Sequence, residues 1–214
     1  MSIKIEKVEI FGWEASIRGC RNPFNSWSKS DSCMSADAVT EGWEWIGEND
    51  LALMKKLSRA GSDHSKFLRM INVTADITAP RYWWTEYDTY KVGTVANSCS
   101  TMHKIHEKEF TLDDFSHEHL NGASLVTLKG LIDMLNIWRE GFNRDTNTKK
   151  DYWWQMIQLL PQSYNQKRTV QLNYQVLKSM YHARKNHKLD EWREFCEWCE
   201  SLPYFKEVCI GVTE

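Results

Sequence analysis

The sequence lacks the features that mark membrane, exported, nucleic-acid-coating and repeat proteins. No apolar run approaches the roughly 20 residues that a membrane-spanning helix requires. The first residues, MSIKIEKVEIF, alternate apolar and polar side chains and contain no signal-peptide core, so they predict a first strand. The formal net charge is only −2, which argues against broad nucleic-acid binding. We therefore expect a globular protein that binds neither a membrane nor a nucleic acid polymer.

The cysteines indicate neither the disulfides of an exported protein nor the spacing of a zinc ribbon. The chain has six cysteines in 214 residues. Without an export signal they predict reduced thiols in a cytoplasmic protein. Cys196 and Cys199 form a C-x-x-C inside a helical pattern, but no second pair lies at the spacing of a zinc ribbon. We expect packed thiols there and no metal site.

Size and composition predict one domain. The chain has 42% hydrophobic and 26% charged residues, which is ample for a core. It contains no internal repeat and no low-complexity linker. A Ser/Asp-rich stretch predicts a loop insertion at about 26–42 within a single domain spanning 1–214.

Helical patterns predominate over strand patterns. From Phe67 to Ala79 the odd positions are mainly apolar, which predicts a strand that Pro80 ends. Helices are predicted at 48–61, 81–90, 123–141, 151–160, 168–184 and 190–201. A few strands among many helices indicate an α+β fold, with a modest sheet packed by helices.

The predicted helix at 168–184 has an unusual face. This face carries Asn173, Leu177, Met180 and Arg184. A helix face that packs in the core is expected to be apolar, but this one begins with an amide and ends with a guanidinium. One interpretation is a solvated helix whose arginine pairs with a nearby carboxylate. The other is a helix that reaches a planar, hydrogen-bonding ligand, which suits the flat fork of arginine.

The stretch TYKVGTVANSCSTMHK (89–104) carries a row of small polar side chains after a dense aromatic run. Short hydroxyls and backbone N–H groups approach phosphate oxygens where bulkier side chains are excluded. The alternative is a Ser/Thr-rich turn whose side chains bind its own backbone.

Both segments resemble motifs of the flavin-dependent thymidylate synthase (ThyX) family. Leu160-Pro161 followed by Asn173, Leu177 and Arg184 is similar to the family's Leu-Pro and N-x-R-S-L-x-x-F-x-x-L-R helix. Residues 90–103 overlay the family motif R-H-R-x-x-S-x-N-E-x-S-x-R-Y when anchored on its Asn and its second Ser. AGSDHSKF (60–67) resembles the G-H-x-x-x-F segment, so the resemblance covers roughly residues 45–195.

The resemblance implies a fold and an activity. The expected fold is a twisted, mainly antiparallel sheet packed with helices. The expected reaction is the reductive methylation of dUMP to dTMP, with FAD as cofactor and with methylenetetrahydrofolate and NADPH as co-substrates. Family members form homotetramers with active sites between subunits. Trp83, Trp84, Trp153 and Trp154 would then lie partly in interfaces, although core packing is the default for such residues.

The resemblance also implies roles for individual residues. Arg184 would be catalytic, because it would stabilise negative charge on the pyrimidine as C5 becomes nucleophilic. The expected substrate-binding residues are Ser98, Cys99, Ser100 and Arg184. The expected cofactor-binding residues are His64, Lys91, Asn97, Asn173, Gln175, Ser179 and His187, with Lys91 as a point charge for the FAD diphosphate.

The chain departs from the family pattern at its arginines. Tyr90, Val92, Met102, Ile157 and Gln175 stand where the motifs have arginine. Each lost arginine–phosphate contact removes roughly 1.5–3 kcal/mol. Two losses weaken dUMP binding at least about a hundredfold by this measure, unless other cations substitute. The candidates for substitution are Lys104, His103, Arg168 and Lys167.

Other functions therefore stay open. The same scaffold could act on another pyrimidine nucleotide, or the chain could be a binding or structural homologue without catalysis. A cysteine-dependent thymidylate synthase is disfavoured, because no cysteine follows a proline and no flanking base is evident beside Cys99.

Overall fold

The computed structural model describes residues 3–33, 46–145 and 147–211. It combines helices with a four-stranded antiparallel sheet, which confirms the predicted α+β class. The strands are β1 (Lys4–Phe11), β2 (Asn72–Pro80), β3 (Val95–Ser98) and β4 (Asn165–Asn173). They are hydrogen-bonded in the order β1-β2-β4-β3, so β1 and β3 are the edges.

Among the described residues, five α-helices match predicted segments, one begins later than predicted, and those at Trp13–Arg21 and Thr101–Lys104 were not predicted. The α-helices are α1 (Trp13–Arg21), α2 (Glu48–Arg59), α3 (Arg81–Tyr87), α4 (Thr101–Lys104), α5 (Gly122–Arg144), α6 (Lys149–Leu159), α7 (Tyr174–Arg184) and α8 (Asp190–Ser201). Short 3₁₀ turns occur at Asn22–Phe24, Trp27–Lys29, Ser65–Arg69 and Leu112–Asp114, and a π-helical turn at Lys206–Ile210. Within the described ranges, every helix is too short or too polar to cross a bilayer.

Strand β2 shows why the two-residue periodicity was informative. Val73, Ala75, Ile77 and Ala79 are at most 1% exposed, and the residues between them are half-buried. Side chains of a strand alternate between faces, so one face of β2 is buried in the core. The predicted strand begins later than expected, because Ser65–Arg69 forms a 3₁₀ turn before it.

The prediction of one helix over 168–184 is wrong. Residues up to Asn173 form β4, and α7 begins only at Tyr174. The strand shows its own two-residue alternation, since Val170 and Leu172 are buried and Thr169 and Gln171 are exposed. Asn173 ends the strand and caps the helix, so the segment changes periodicity at that residue.

The chain divides into two compact units, each described separately below. The first comprises Met1–Glu6, Asp76–Thr89 and Ala96–Thr169. The second comprises Lys7–Ala75, Tyr90–Val95 and Val170–Glu214. The expectation of a single domain over 1–214 stays a prediction. Of the expected loop insertion at 26–42, residues 26–33 are described and include a 3₁₀ turn, whereas 34–42 lie outside the described residues.

The core of the first unit lies between α5 and α6 and the segment before α5. Its buried side chains are Ile105, Phe110, Phe115, Leu128, Ile132, Leu135, Met156 and Leu160. Trp83 and Trp84 are at most 1% exposed, so the hypothesis that these two lie at an interface is wrong, and core packing applies. Trp154, by contrast, is 41% exposed.

The second unit contains a buried ion pair. The guanidinium Nε of Arg21 donates to Asp50 Oδ1 across 2.6 Å, and both side chains are at most 6% exposed. The hydroxyls of Ser30 and Ser32 donate to the other oxygen of Asp50, across 2.7 and 2.6 Å. Burial by itself raises the pKa of Asp50, but the hydrogen bonds from Ser32, Ser30 and Arg21 outweigh it and lower that pKa. This pair ties residues 30–32 to α1 and α2.

The C-x-x-C of α8 consists of packed thiols, as predicted. Cys196 and Cys199 are both buried and carry no disulfide. Burial is the main cause that raises the pKa of Cys196 to about 11, with Glu200 and Glu197 adding to it. A thiol with so high a pKa is a poor nucleophile near neutral pH. Among the described residues, no three His, Cys, Asp or Glu side chains are grouped to hold a metal ion.

Candidate functional site

The start of α7 is fixed by Asn173. Its side-chain Oδ1 accepts a hydrogen bond from the backbone N–H of Val176 across 3.1 Å, which is a standard N-cap. The cap uses the carbonyl end of the amide. What Asn173 offers a ligand is therefore its NH₂ group, a donor.

The end of α7 holds Arg184 against two aromatic rings. The Nε of Arg184 donates to the hydroxyl of Tyr90 across 2.9 Å. The guanidinium carbon lies 4.9 Å from the ring centre of Trp192 and 5.6 Å from that of Tyr90, within the range of cation–π attraction. Trp192 is fully buried and anchors the arrangement from α8, whereas Arg184 and Tyr90 are half-buried. The guanidinium thus sits in a defined orientation.

The segment that follows Tyr90 packs on the first turn of α7. Gly93 has a φ of +79°, and a Cβ there would come within 2.9 Å of Val176 and 3.4 Å of the Asn173 amide nitrogen. Glycine is needed both for the left-handed backbone and for the close approach. Lys91 is exposed and Val92 is 90% exposed. Lys91 thus belongs to the segment that Gly93 packs against the start of α7.

Two further predicted residues lie on the same helix. Gln175 is half-buried, and its Oε1 accepts a hydrogen bond from the hydroxyl of Ser65 across 3.2 Å. As at Asn173, the side-chain NH₂ group is left to donate to a ligand. His64 precedes Ser65 and is exposed. The hydroxyl of Ser179 donates to the backbone carbonyl of Gln175 across 3.0 Å, so it bonds within its own helix.

His187 has a defined tautomer in its neutral form. Its Nδ1 accepts from the backbone N–H of Leu189 across 3.2 Å, so the proton of the neutral ring is on Nε2. Its ring centre lies 6.4 Å from that of Trp192, the residue that also contacts Arg184. The second unit thus brings His187 and Arg184 to the same tryptophan.

The serine-bearing segment lies in the first unit, at the edge strand β3. Asn97, Ser98 and Cys99 are exposed. The backbone N–H of Cys99 donates to the carbonyl of Lys167 across 2.9 Å, and its own carbonyl accepts from the Gln166 amide across 2.9 Å. Both backbone groups of Cys99 are therefore engaged, and the exposed side chains are what the segment presents.

Ser100 has the local role that the sequence left open. Its hydroxyl accepts from the backbone N–H of His103 across 3.2 Å and caps the short helix α4. The interpretation of a turn that binds its own backbone is therefore correct for Ser100. The same hydroxyl can still donate its hydrogen to a ligand.

Three of the four cations expected to replace the family's phosphate arginines form ion pairs. Lys167 lies 3.0 Å from Asp76, and Lys104 pairs with Glu107. Arg168 lies 2.7 Å from a carboxylate oxygen of Asp88, and its guanidinium carbon is 4.3 Å above the Trp84 ring. Phosphate binding by these side chains would have to compete with the carboxylates they already contact.

Sequence reasoning missed the two aromatic residues around Arg184. Tyr90 was noted only as the loss of an arginine, and Trp192 was not considered. The available signal was Tyr90 itself, an aromatic side chain in a motif position next to Lys91. The face of an aromatic ring attracts a guanidinium, and the oxygen of a phenol accepts a hydrogen bond from it. Ser65, which orients Gln175, was also missed.

No family model matches the sequence, and no curated protein matches it. The chain is similar to two solved structures of ThyX from Helicobacter pylori, both described as containing FAD and dUMP. The first has a TM-score of 0.64 and the second a TM-score of 0.65, each at 14% identity and with 100% of both chains covered. The chain therefore has the fold of flavin-dependent thymidylate synthases, as the motif spacing predicted.

Proposed function

We propose that the protein is a divergent flavin-dependent thymidylate synthase, which methylates dUMP to dTMP with methylenetetrahydrofolate and NADPH. The observation that carries the proposal is the guanidinium of Arg184, oriented by Tyr90 and Trp192 at the motif position of the family's arginine. An oriented, permanently charged donor stabilises negative charge on a pyrimidine ring better than a mobile one, because it needs no reorganisation during the reaction. The full-length similarity in fold supports the same reaction class.

The residues of the second unit fit a flavin by the chemistry of their donors. Asn173 and Gln175 have their carbonyl oxygens engaged, so both offer N–H groups. The carbonyl oxygens and ring nitrogens of an isoalloxazine are acceptors that match such donors. Lys91 is exposed and would serve the diphosphate, with His64 as a second donor. When bound, FAD would supply the redox chemistry, and these residues would bind and orient it.

The roles in the first unit belong to the same proposal. Ser98, Cys99 and Ser100 would contact the nucleotide through their side chains, and Asn97 would contact the cofactor. We further propose the homotetramer that the family resemblance implies.

A second candidate is the same scaffold acting on another pyrimidine nucleotide. The observation that favours it is the engagement of Lys167 and Arg168 by carboxylates, which makes them weak substitutes for phosphate-binding arginines. A nucleotide held more by its base than by its phosphate would suit such a site.

The test begins with the purified protein. We expect a yellow preparation with flavin absorbance, and mass spectrometry of the released small molecules should identify FAD. Tritium release from labelled dUMP, supplied with methylenetetrahydrofolate and NADPH, then tests the reaction. Tritium release from another labelled pyrimidine nucleotide, without release from dUMP, would favour the second candidate. A colourless protein that takes up no FAD would contradict both.

A further inference from the structure

Two side-chain amides at the start of α7, those of Asn173 and Gln175, are held by different kinds of partner. The Oδ1 of Asn173 accepts a hydrogen bond from the backbone N–H of Val176 across 3.1 Å. A backbone N–H can only donate, so this amide has one favourable orientation, in which its NH₂ group stays available to a ligand. Asn173 is therefore a fixed donor.

The amide of Gln175 is held by a hydroxyl, a group that both donates and accepts. The Oγ of Ser65 lies 3.2 Å from Gln175 Oε1 and 3.4 Å from the backbone carbonyl oxygen of Ser62. Because a hydroxyl carries one hydrogen, it donates well to only one of these oxygens at a time. Ser65 is 2% exposed, and its backbone N–H donates to the carbonyl of Gly61 across 3.1 Å, which fixes the turn that carries both serines.

Two arrangements of hydrogen bonds satisfy this group. In the first, the Ser65 hydroxyl donates to Gln175 Oε1, and the NH₂ group of Gln175 is offered to a ligand. In the second, the hydroxyl donates to the Ser62 carbonyl and its oxygen accepts from the Gln175 NH₂ group, so the carbonyl of Gln175 is offered instead. The oxygen and nitrogen of an amide are nearly equal in size, so turning it by half a turn needs no repacking. Gln175 can therefore present either a donor or an acceptor.

We propose that Gln175 turns its amide with the redox state of a bound flavin, and that Ser65 is the positioning residue that supports both orientations. The proposal rests on the flavin chemistry proposed above. There, NADPH is oxidised to NADP⁺ by giving a hydride to the isoalloxazine, so a C–H bond of the nicotinamide breaks and an N–H bond forms at the ring nitrogen N5. N5 thereby changes from an acceptor into a donor, whereas the carbonyl oxygens of the ring accept in both states. A reversible amide matches the first kind of atom, and the fixed donor Asn173 matches the second.

A reversible amide and a fixed donor predict different effects of Gln175→Met, which removes the amide and keeps an unbranched side chain. We expect the affinities for oxidised FAD and for dithionite-reduced FAD to fall by similar factors, about two- to tenfold each, because a hydrogen bond is lost in both states. A fixed donor would face the N–H of the reduced ring, so only the affinity for oxidised FAD would fall. Ser65→Ala should also lower both affinities, because each orientation loses its support. Gln158→Met, the same substitution at an exposed position of α6, is the matched control.

An infrared signature distinguishes reorientation from a merely structural role. Redox-difference spectra of the FAD-loaded protein, prepared with isotope-labelled glutamine carbonyls, report any glutamine carbonyl that changes its hydrogen-bond partner on reduction. We expect one isotope-sensitive band to shift in the wild type and to be absent from Gln175→Met. Far-UV circular dichroism and denaturant midpoints check that the variants are folded.

Three outcomes would overturn the reversible amide. One is a fall in the affinity for oxidised FAD alone, with no shift of a glutamine band, which would make Gln175 a fixed donor. Another is a pair of unchanged affinities in Gln175→Met or in Ser65→Ala. Both of these results come from a protein that binds FAD, so they leave the proposed function intact. The last is a protein that takes up no FAD in either redox state, which would contradict this proposal and the proposed function together.

Discussion

The Nε of Arg184 donates a hydrogen bond to the hydroxyl of Tyr90 across 2.9 Å, although the two residues are 94 positions apart. Tyr90 stands where the family motif begins with an arginine. The phenol at this position holds Arg184, and the buried ring of Trp192 also contacts the guanidinium. At a motif position where the family has an arginine, this chain thus has a phenol that contacts Arg184.

Tyr90→Phe should lower turnover and leave flavin binding unchanged. The substitution removes the hydroxyl and keeps the ring, so the guanidinium loses one oriented partner. A half-buried hydrogen bond to a charged group is worth about 1 kcal/mol, or roughly a fivefold change in kcat. Steady-state tritium release and the flavin-to-protein ratio measure the two effects. Tyr152→Phe on α6 is the matched control, and equal kcat values for the two variants would exclude positioning by Tyr90.

Arg184→Ala should abolish turnover while flavin stays bound, because the role proposed for the guanidinium is on the pyrimidine and not on the flavin. Arg184→Lys keeps the charge but cannot offer the planar fork, so we expect it to restore little activity. Single-turnover assays and flavin absorbance distinguish these effects. Normal turnover by the alanine variant would remove Arg184 from the mechanism.

Lys91→Ala should lower flavin occupancy without destabilising the fold, because the side chain is exposed. The expected loss is one charge-assisted contact to a diphosphate, about 1.5–3 kcal/mol or at least a tenfold weaker affinity. Titration of the apoprotein with FAD measures it, with Lys56→Ala as the control. An affinity unchanged from wild type would contradict the role assigned to Lys91.

Asn173 separates helix capping from ligand binding. Asn173→Ser retains an N-cap oxygen and removes the amide NH₂, so the unfolding free energy should change little while flavin affinity falls. Asn173→Ala loses both, with about 1 kcal/mol of stability lost with the cap. Chemical denaturation and FAD titration give the two quantities. Equal flavin affinity in wild type and the serine variant would show that Asn173 only caps α7.

Asp50→Asn should lower the unfolding free energy by about 3 kcal/mol, because it leaves the buried Arg21 without its anion. The folded pKa of Asp50 lies below its unfolded value of about 3.9. The carboxylate's stabilisation is therefore full above that unfolded value and is lost as pH falls through the folded pKa. The stability difference between wild type and variant should shrink below about pH 4. Denaturant titrations at several pH values measure it; Asp63→Asn, at an exposed site, should show no such difference.

Local sequence patterns predicted most of the helices and the central strand β2. They succeeded where one periodicity ran through the whole element, as in α5 and at Ile77 in β2. They failed at 168–184, where a strand passes directly into a helix at Asn173. Val170 and Leu172 fit the two-residue period of a strand, and the residues after Tyr174 fit a helix, so a single helical interpretation hid the junction.

In the candidate site, too, local patterns identified some residues and missed others. The motif spacing named Asn173, Gln175 and Arg184, which the structure places at the N-cap of α7 and along it, since spacing along a segment is a local property. It did not name Tyr90, Ser65 or Trp192 as their partners, because such pairs are set by how distant segments pack.

The sequence by itself determined the α+β class, most of the helices and the residue types offered to a ligand, because propensity and periodicity act over a few neighbouring residues. Only the tertiary structure decided that a tyrosine and a tryptophan hold the guanidinium, and that Lys167 and Arg168 are already paired with carboxylates. Contacts between segments far apart in the chain depend on the geometry of the whole core, and no local pattern contains it.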